Sequence, residues 1–411
     1  METEKIREII TDRNNYPEKD LIEREITKEI IKVKNTPFVK IISGIRRSGK
    51  STILKQLKEK FGGAYINFDD ERFVNFKIDD FEKLYELCLE IFKTKLFYFD
   101  EIQNIYGWAR FVRRISESGE NVFVTCSNAT MLSKELGTHL TGRHIMFRLY
   151  PFSFNEFLVF NNVKISELTI KEKVKLKEKF SEYLIEGGLP EYLTTRNTDY
   201  LKNLYESILY RDVMARYNLS NERALKELVY LAANNISKGI SFNSVKKILG
   251  LGSATTVSDY FSYLENTYLL FLLPKYKYSL RKQIQSNKKI YLIDNALSKQ
   301  LGFSFSENKG KLLENQVFLK LKRRDCELFY FQEKNECDFI VREKNKIKQA
   351  IQICYELNEE NKERELNGLI EAIKEFKLKE GIIITMNDEK TIKTDNIVIK
   401  IIPAYKWFLM D

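Results

Sequence analysis

Over the first 150 residues, apolar positions follow two alternating rhythms. Short β-branched and aromatic runs occur at Val39–Ile42, Ala64–Phe68, Leu96–Phe99, Val122–Cys126 and Ile145–Leu149. Between them, apolar residues recur every three or four positions. Ile22, Ile26, Ile30 and Val33 mark a helix over 18–34, and Phe81, Leu84, Leu87 and Ile91 mark one over 79–93. Further helices are expected at 52–60, 108–117 and 131–136. Strand and helix taking turns in this way predict a three-layer α/β fold around a parallel sheet.

After Pro151 the pattern changes. Helical spacing dominates 153–160, 166–186, 199–216 and 221–236, with a Gly-Gly-Leu-Pro turn at 187–190. A helix Leu225–Ile236, a short helix Val245–Leu251 and a longer helix Thr256–Leu270 follow. Two strand-like runs come next, Leu270–Ser279 and Lys288–Asp294. Helix, helix, turn, helix and hairpin together predict a winged helix-turn-helix. Residues 305–411 return to mixed helix and strand. The expected domains are therefore 1–150, a nucleotide core; 151–222, a small helical domain; 223–304, a winged helix; and 305–411, a second α/β domain.

The chemistry is concentrated in the core. Gly44-Ile45-Arg46-Arg47-Ser48-Gly49-Lys50-Ser51-Thr52 fits G-x-x-x-x-G-K-[ST] between an apolar strand and a helix. Such a loop turns successive N–H groups and a helix N-terminus toward phosphates. Lys50 reaches the β- and γ-phosphates and the Ser51 hydroxyl can ligate Mg²⁺. All nine residues, Gly44 through Thr52, are expected at ATP. About 50 residues on, the run Leu96–Phe99 ends in Asp100 and Glu101 at the C-terminal edge of a strand, where ligands bind in open α/β sheets. Asp100 is placed to hold Mg²⁺, directly or through water, and Glu101 to act as general base on the attacking water. Ser127 or Asn128, ending the next strand, would either touch the γ-phosphate and its attacking water or cap a helix. Arg143 would either stabilise transition-state charge, within its own chain or a neighbour's, or serve as a structural arginine.

These motifs together resemble a group of AAA-type ATPases of archaea and bacteria that carry a conserved C-terminal domain of unknown function. The segments that carry the resemblance are G-I-R-R-S-G-K-S-T, F-x-D-E-I-Q, S-N-A, L-T-G-R and P-F-S-F-x-E-F. The resemblance implies a core with an additional strand between the loop strand and the Asp100–Glu101 strand. It also implies that Glu101 is the additional glutamate of that class, and that the helices after 151 form a lid that moves on hydrolysis.

Composition narrows the alternatives. The chain has 411 residues, 43% of them hydrophobic, enough for sizeable cores. Only 2 histidines, His139 and His144, disfavour a histidine zinc site or a Ser-His-Asp triad. The 5 scattered cysteines form no C-x-x-C and fit reduced thiols in a cytoplasmic protein. The start of the chain has no apolar signal segment, and no run is long and apolar enough to span a membrane. A net charge of +10 is compatible with nucleic-acid binding without demanding it.

In the winged helix, Thr255, Thr256, Ser258, Asp259 and Tyr263 are expected to face outward. Lys275, Lys277, Arg281 and Lys282 would line the wing as phosphate contacts. The C-terminal pattern resembles restriction-endonuclease-like folds. Glu314, Asp338 and Gln352 fall where that resemblance puts Mg²⁺ ligands, but Cys354 stands where it expects a lysine, and Lys348 would have to migrate into the role. The domain is expected to lack nuclease activity. The expected function is Mg·ATP hydrolysis coupled to DNA, a protein partner or a second copy of the chain. The alternatives are a slow nucleotide-gated switch without a DNA role and an ATP-regulated nuclease.

Overall fold

The computed structural model describes the chain except residues 15–21, 128–139, 165–168, 303–308, 325, 395 and 411. The expected helix at 131–136 lies outside the described residues. The chain forms two compact units: Met1–Tyr150 with Asn266–Tyr268, and Pro151–Glu265 with Leu269–Asp411.

The first unit is a five-stranded parallel sheet with helices on both faces. Its strands are β1 (Val39–Ser43), β2 (Ala64–Asn67), β3 (Leu96–Asp100), β4 (Asn121–Cys126) and β5 (His144–Arg148), in the order β2-β3-β4-β1-β5. β4 lies between the loop strand β1 and the acidic strand β3, the additional strand that the resemblance implies. Strand alternation sends successive side chains to opposite faces. Ile42, Tyr65, Tyr98 and Phe123 therefore pack with Ile53, Leu54 and Leu57 of α3 (Lys50–Phe61) and Ile30 of α2 (Glu25–Lys32). Ile41, Ile66, Phe97, Phe99 and Val124 face the other way. They meet α1 (Thr3–Asn14), α4 (Asp80–Phe92) and α5 (Trp108–Glu117). The sequence pattern missed α1, whose apolar face is only Ile6, Ile9 and Ile10 among charges. Lys40, buried on β1, is tolerated because its ammonium donates to Thr36 O at 2.6 Å and Asn121 Oδ1 at 3.1 Å. Burial still pulls that ammonium down to about 8.

The second unit begins with helices. Phe154–Phe160 and Ile170–Glu186 each start with a capping box, built on Ser153 and Glu156 and on Thr169 and Glu172. The helical run expected at 199–216 is interrupted by a π-helical stretch, Ile208–Met214. Glycine is required at 187, because a Cβ there would lie 2.0 Å from Asp294 Oδ1. The three-stranded sheet β6 (Gly239–Ile240), β7 (Leu270–Pro274) and β8 (Lys288–Leu292) runs in the order β6-β8-β7, with β7 and β8 antiparallel as the hairpin pattern predicts. The connection between them is not a simple wing: it carries a helix, Leu280–Gln285, none of whose residues is buried. In the helix Ala254–Asn266, Thr255 and Asp259 are exposed, and Thr256 and Ser258 are half-buried. Tyr263 is not free to face outward as expected. It stacks on Tyr217 with ring centroids 3.8 Å apart.

The C-terminal sheet runs β13-β14-β12-β11-β10-β9, from β9 (Glu327–Gln332), β10 (Glu336–Glu343), β11 (Lys346–Ile353), β12 (Glu380–Thr385), β13 (Lys390–Thr394) and β14 (Ile397–Pro403). Helix Lys309–Lys322 precedes it in the chain, and helix Lys362–Glu375 joins β11 to β12. The sequence pattern missed β13, which has no buried residue.

Candidate nucleotide site

The loop Gly44–Gly49 follows directly from β1, and α3 starts at Lys50. Gly44 is fixed by space, since a Cβ there would lie 2.2 Å from Leu149 O. Gly49 is fixed by backbone conformation, with φ +96° just before the helix. Ile45 is buried, Arg46 is half-buried and Arg47 is exposed at φ 65°. Ser51 and Thr52 occupy the first turn of α3, both half-buried.

The Lys50 side chain is almost wholly buried and curls back over the loop. Its ammonium donates to Gly44 O and Ile45 O, each at 3.1 Å, and lies 3.6 Å from Glu101 Oε1. Two partners that the sequence pattern did not flag hold the loop. Arg24, buried, donates to Ser48 O at 2.7 Å and to Tyr150 O at 2.6 Å, tying the loop to the chain beyond β5. Tyr268 OH lies 2.8 Å from Ser43 Oγ at the end of β1. Arg24 has no motif around it, and only its contact with the loop marks it.

β3 brings Asp100 and Glu101 to the same sheet edge. Asp100 accepts from Tyr65 OH at 2.6 Å and from Thr125 Oγ1, and the Ser51 hydroxyl is a further hydrogen-bonding neighbour. Burial, and then the Glu101 charge, push its carboxyl above the ordinary range despite those hydrogen bonds. Glu101 behaves in the opposite way. Burial alone would raise it, but Lys50, Gln103, Arg46 and Ser127 outweigh burial and hold it below the ordinary range. Glu101 also has φ 50°, a conformation that non-glycine residues rarely adopt. Its N–H donates to Thr125 Oγ1 at 2.9 Å, and Gln103 Nε2 donates to its Oε2. Thr125 thus holds the Asp100 carboxylate and the Glu101 backbone at once, donating to the first and accepting from the second. The sequence placed Ser127 or Asn128 at this edge and passed over Thr125. Ser127 is buried and 3.5 Å from Gln103 Nε2, while Asn128 lies outside the described residues.

Arg143 does not join this group. Val39 N donates to Arg143 O at 3.0 Å, which puts Arg143 at the start of β5 and at the opposite end of β1 from the loop. Gly44 is five strand steps away, about 16 Å. Arg143 pairs with Glu117 and lines a cavity of about 310 Å³ with Phe38 and Arg113. A role toward phosphates of its own chain is therefore excluded by distance. The arginine of β5 at the loop end is Arg148, in register with Ser43 and hydrogen-bonded to Tyr268.

The donor set suits a magnesium nucleotide. Ser48 Oγ is buried without a hydrogen-bond partner inside the loop. The Lys50 ammonium rests on neutral carbonyls that a phosphate would outcompete. Ser51 and Asp100 are oxygen ligands of the hard type that Mg²⁺ prefers.

Known proteins resemble this chain at the level of its domains and of whole relatives. Residues 36–158 match the model of an AAA domain, and residues 177–308 match a domain of unknown function. An uncharacterized protein of Haemophilus influenzae is 28% identical over 95% of this chain and 99% of its own length. Among solved structures, a STAND signal-transduction ATPase with a tetratricopeptide repeat sensor from Pyrococcus horikoshii aligns at 14% identity and TM-score 0.30. It covers 76% of this chain and 47% of that one. The Thermotoga maritima RuvB Holliday junction branch migration motor aligns at 13% identity and TM-score 0.27, over 65% and 93% of the two chains. The uncharacterized protein MJ1544 of Methanocaldococcus jannaschii is 38% identical over 98% of this chain and 94% of its own length. This chain therefore belongs to the family of MJ1544, and within it residues 36–158, which carry the P-loop sheet, match an AAA domain.

Proposed function

We propose that the protein binds Mg·ATP at the Gly44–Thr52 loop and hydrolyses it. The observation that carries this is the convergence of Lys50 and the two acids. The lysine lies 3.6 Å from an acid held ionised, beside a second acid gripped by Tyr65 and Thr125. Loop N–H groups and the start of α3 bind the phosphates. Lys50 leaves the Gly44 and Ile45 carbonyls to neutralise the β- and γ-phosphates. Mg²⁺ would be held by Ser51 and Asp100 and would supply positive charge against the phosphate oxygens. Glu101, ionised at neutral pH, takes the proton of the attacking water. Gln103 fixes the direction of its carboxylate, and Thr125 holds its backbone N–H. Arg143, remote from the loop of its own chain, acts on the nucleotide of a second copy.

The division into a core at 1–150, a lid at 151–222, a winged helix at 223–304 and a restriction-endonuclease-like domain at 305–411 belongs to the same proposal. Hydrolysis would move the lid and alter the hold of the later domains on DNA or a protein partner. Exposed Arg281 and Lys282, on the helix that replaces a simple wing, are the candidate phosphate contacts.

The test is ATP turnover by wild type, Lys50→Ala and Glu101→Gln, without DNA, with duplex and with single strands, while light scattering follows the mass. Turnover that needs both residues is expected. Unchanged ATP affinity in Lys50→Ala would sink the assignment. Turnover indifferent to DNA, with an ATP-dependent mass, would replace DNA coupling by a nucleotide-gated assembly switch.

A further inference from the structure

Within the second unit, a lysine from the three-stranded sheet enters the carboxylate cluster of the C-terminal sheet. Lys289, on β8, has a side chain only 2% exposed. Its ammonium lies 2.8 Å from Asp338 Oδ1, 2.8 Å from Glu336 Oε1 and 3.1 Å from Glu314 Oε1. An ammonium has three donors, and here three carboxylates surround it.

The other polar groups of the cluster are also committed. Glu314 Oε1 accepts from Tyr291 OH at 2.7 Å, and Asp338 Oδ2 from Ile353 N at 2.9 Å. Gln352 accepts from Asp338 N at 3.2 Å and donates to Glu365 at 2.6 Å. Cys354, where the nuclease pattern expects a lysine, is buried with its thiol 3.1 Å from Glu356 O. Lys348 is exposed, four residues before Gln352 on β11, about 13 Å along the strand. The lysine of this site therefore comes from outside the domain, and it sits among the carboxylates rather than beside them. A divalent ion ligated by Glu314 and Asp338 would need the volume that the ammonium fills, and the two cations would repel at contact distance.

We propose that Lys289 is the resident cation of this cluster, so that Glu314, Glu336 and Asp338 hold no divalent metal and instead clasp β8 to the C-terminal sheet. Neighbouring contacts reinforce the clasp. Asn315, next to Glu314, exchanges two hydrogen bonds with the backbone of Leu292 on β8, at 2.9 and 3.0 Å. Tyr291 stacks on Phe318 with centroids 4.2 Å apart. Burial alone would lower the ammonium, but Asp338 and Glu314 outweigh it and hold Lys289 charged. The inference is independent of the ATPase proposal, because it involves no residue of the first unit.

The test uses the full-length, nucleotide-free protein, with Mn²⁺ as probe, followed by electron paramagnetic resonance and by cleavage of supercoiled plasmid. Wild type is expected to have no Mn²⁺ site that Asp338→Asn removes, and to cut nothing. Lys289→Met is expected to lose stability by about two to four orders of magnitude in the folding constant. The triple variant Lys289→Met, Glu314→Gln, Asp338→Asn, which removes the ammonium with the two most buried carboxylates and leaves only the half-exposed Glu336, is expected to recover most of it. If Lys289→Met alone does not fold, recovery in the triple variant still supports the clasp. An Asp338-dependent Mn²⁺ site or plasmid cut in wild type would overturn the proposal. So would a Lys289→Met protein as stable as wild type, or a triple variant that recovers nothing.

Discussion

Two buried lysines among the described residues, Lys50 beside one carboxylate and Lys289 among three, are held differently. Lys50 rests on two backbone carbonyls of its own loop and stays 3.6 Å from Glu101. Lys289 has three carboxylates within 3.1 Å. In the first site the ammonium has neutral partners that a phosphate can replace, and Ser48 Oγ lacks any. In the second site every donor is already met by a carboxyl oxygen of the chain. The same residue types thus give a receptive site in one place and a closed one in the other. What differs is whether the counter-charge is supplied by a ligand or by the chain.

The comparison is tested most severely by exchanging charges. Glu101→Gln should lower ATP turnover by about 10²–10⁴-fold while leaving ATP binding in place, because only the base is lost. Equal turnover in single-turnover assays would remove Glu101 from catalysis. Lys50→Ala should weaken ATP binding by about 100-fold or more, measured by calorimetry, since a charge-assisted hydrogen bond to phosphate is lost. Lys289→Met should do the converse. It should cost about 3–5 kcal/mol in denaturant unfolding, because it leaves buried carboxylates uncompensated, and should leave ATP affinity unchanged. A loss of ATP affinity there would break the distinction between the two sites.

Smaller effects sharpen it. Thr125→Val removes the hydroxyl that holds the Asp100 carboxylate and the Glu101 backbone, and should cut turnover by about tenfold through loss of a buried hydrogen bond of about 1–2 kcal/mol. Unchanged turnover would mean that backbone strain at Glu101 suffices. The pH dependence separates the units further. Burial pushes Asp294 up to about 7, against hydrogen bonds from Gly188 and Ala296, and burial with the Asp338 charge pushes Glu314 up to about 7. In the folded state both bind protons more tightly than in the unfolded chain, whose carboxyls titrate near 4. The stability they add is full below about pH 4 and is lost as pH rises to about 7. Unfolding midpoints should therefore fall over that window, and Asp294→Asn should flatten the slope. A midpoint that rises from pH 4 to 7 with Asp294 intact and does not respond to its replacement would contradict this.

Much of the first unit was legible from local signals. Gly44, Gly49, Lys50 and Ser51 form a contiguous motif whose spacing is set by the loop itself. Asp100 and Glu101 ended an apolar run long enough to be a strand. The five strand runs were visible because each is dominated by apolar residues that the sheet buries. Arg24 and Tyr268 were not legible, because they reach β1 and its loop from elsewhere in the chain. The exposed strand β13 was invisible for the opposite reason, since it buries nothing and leaves no apolar pattern.

By itself, then, the sequence determined the P-loop motif, the acidic strand end and the α/β character of the core. These depend on neighbours in the chain and on the period of apolar residues, both of which are local. Only the tertiary structure decided which end of the sheet Arg143 occupies, because strand direction and register set that distance. It alone showed that Lys289, 65 residues before Cys354, lies among Glu314, Glu336 and Asp338. An ammonium seeks the nearest buried negative charge in space, and separation along the chain does not enter that energy.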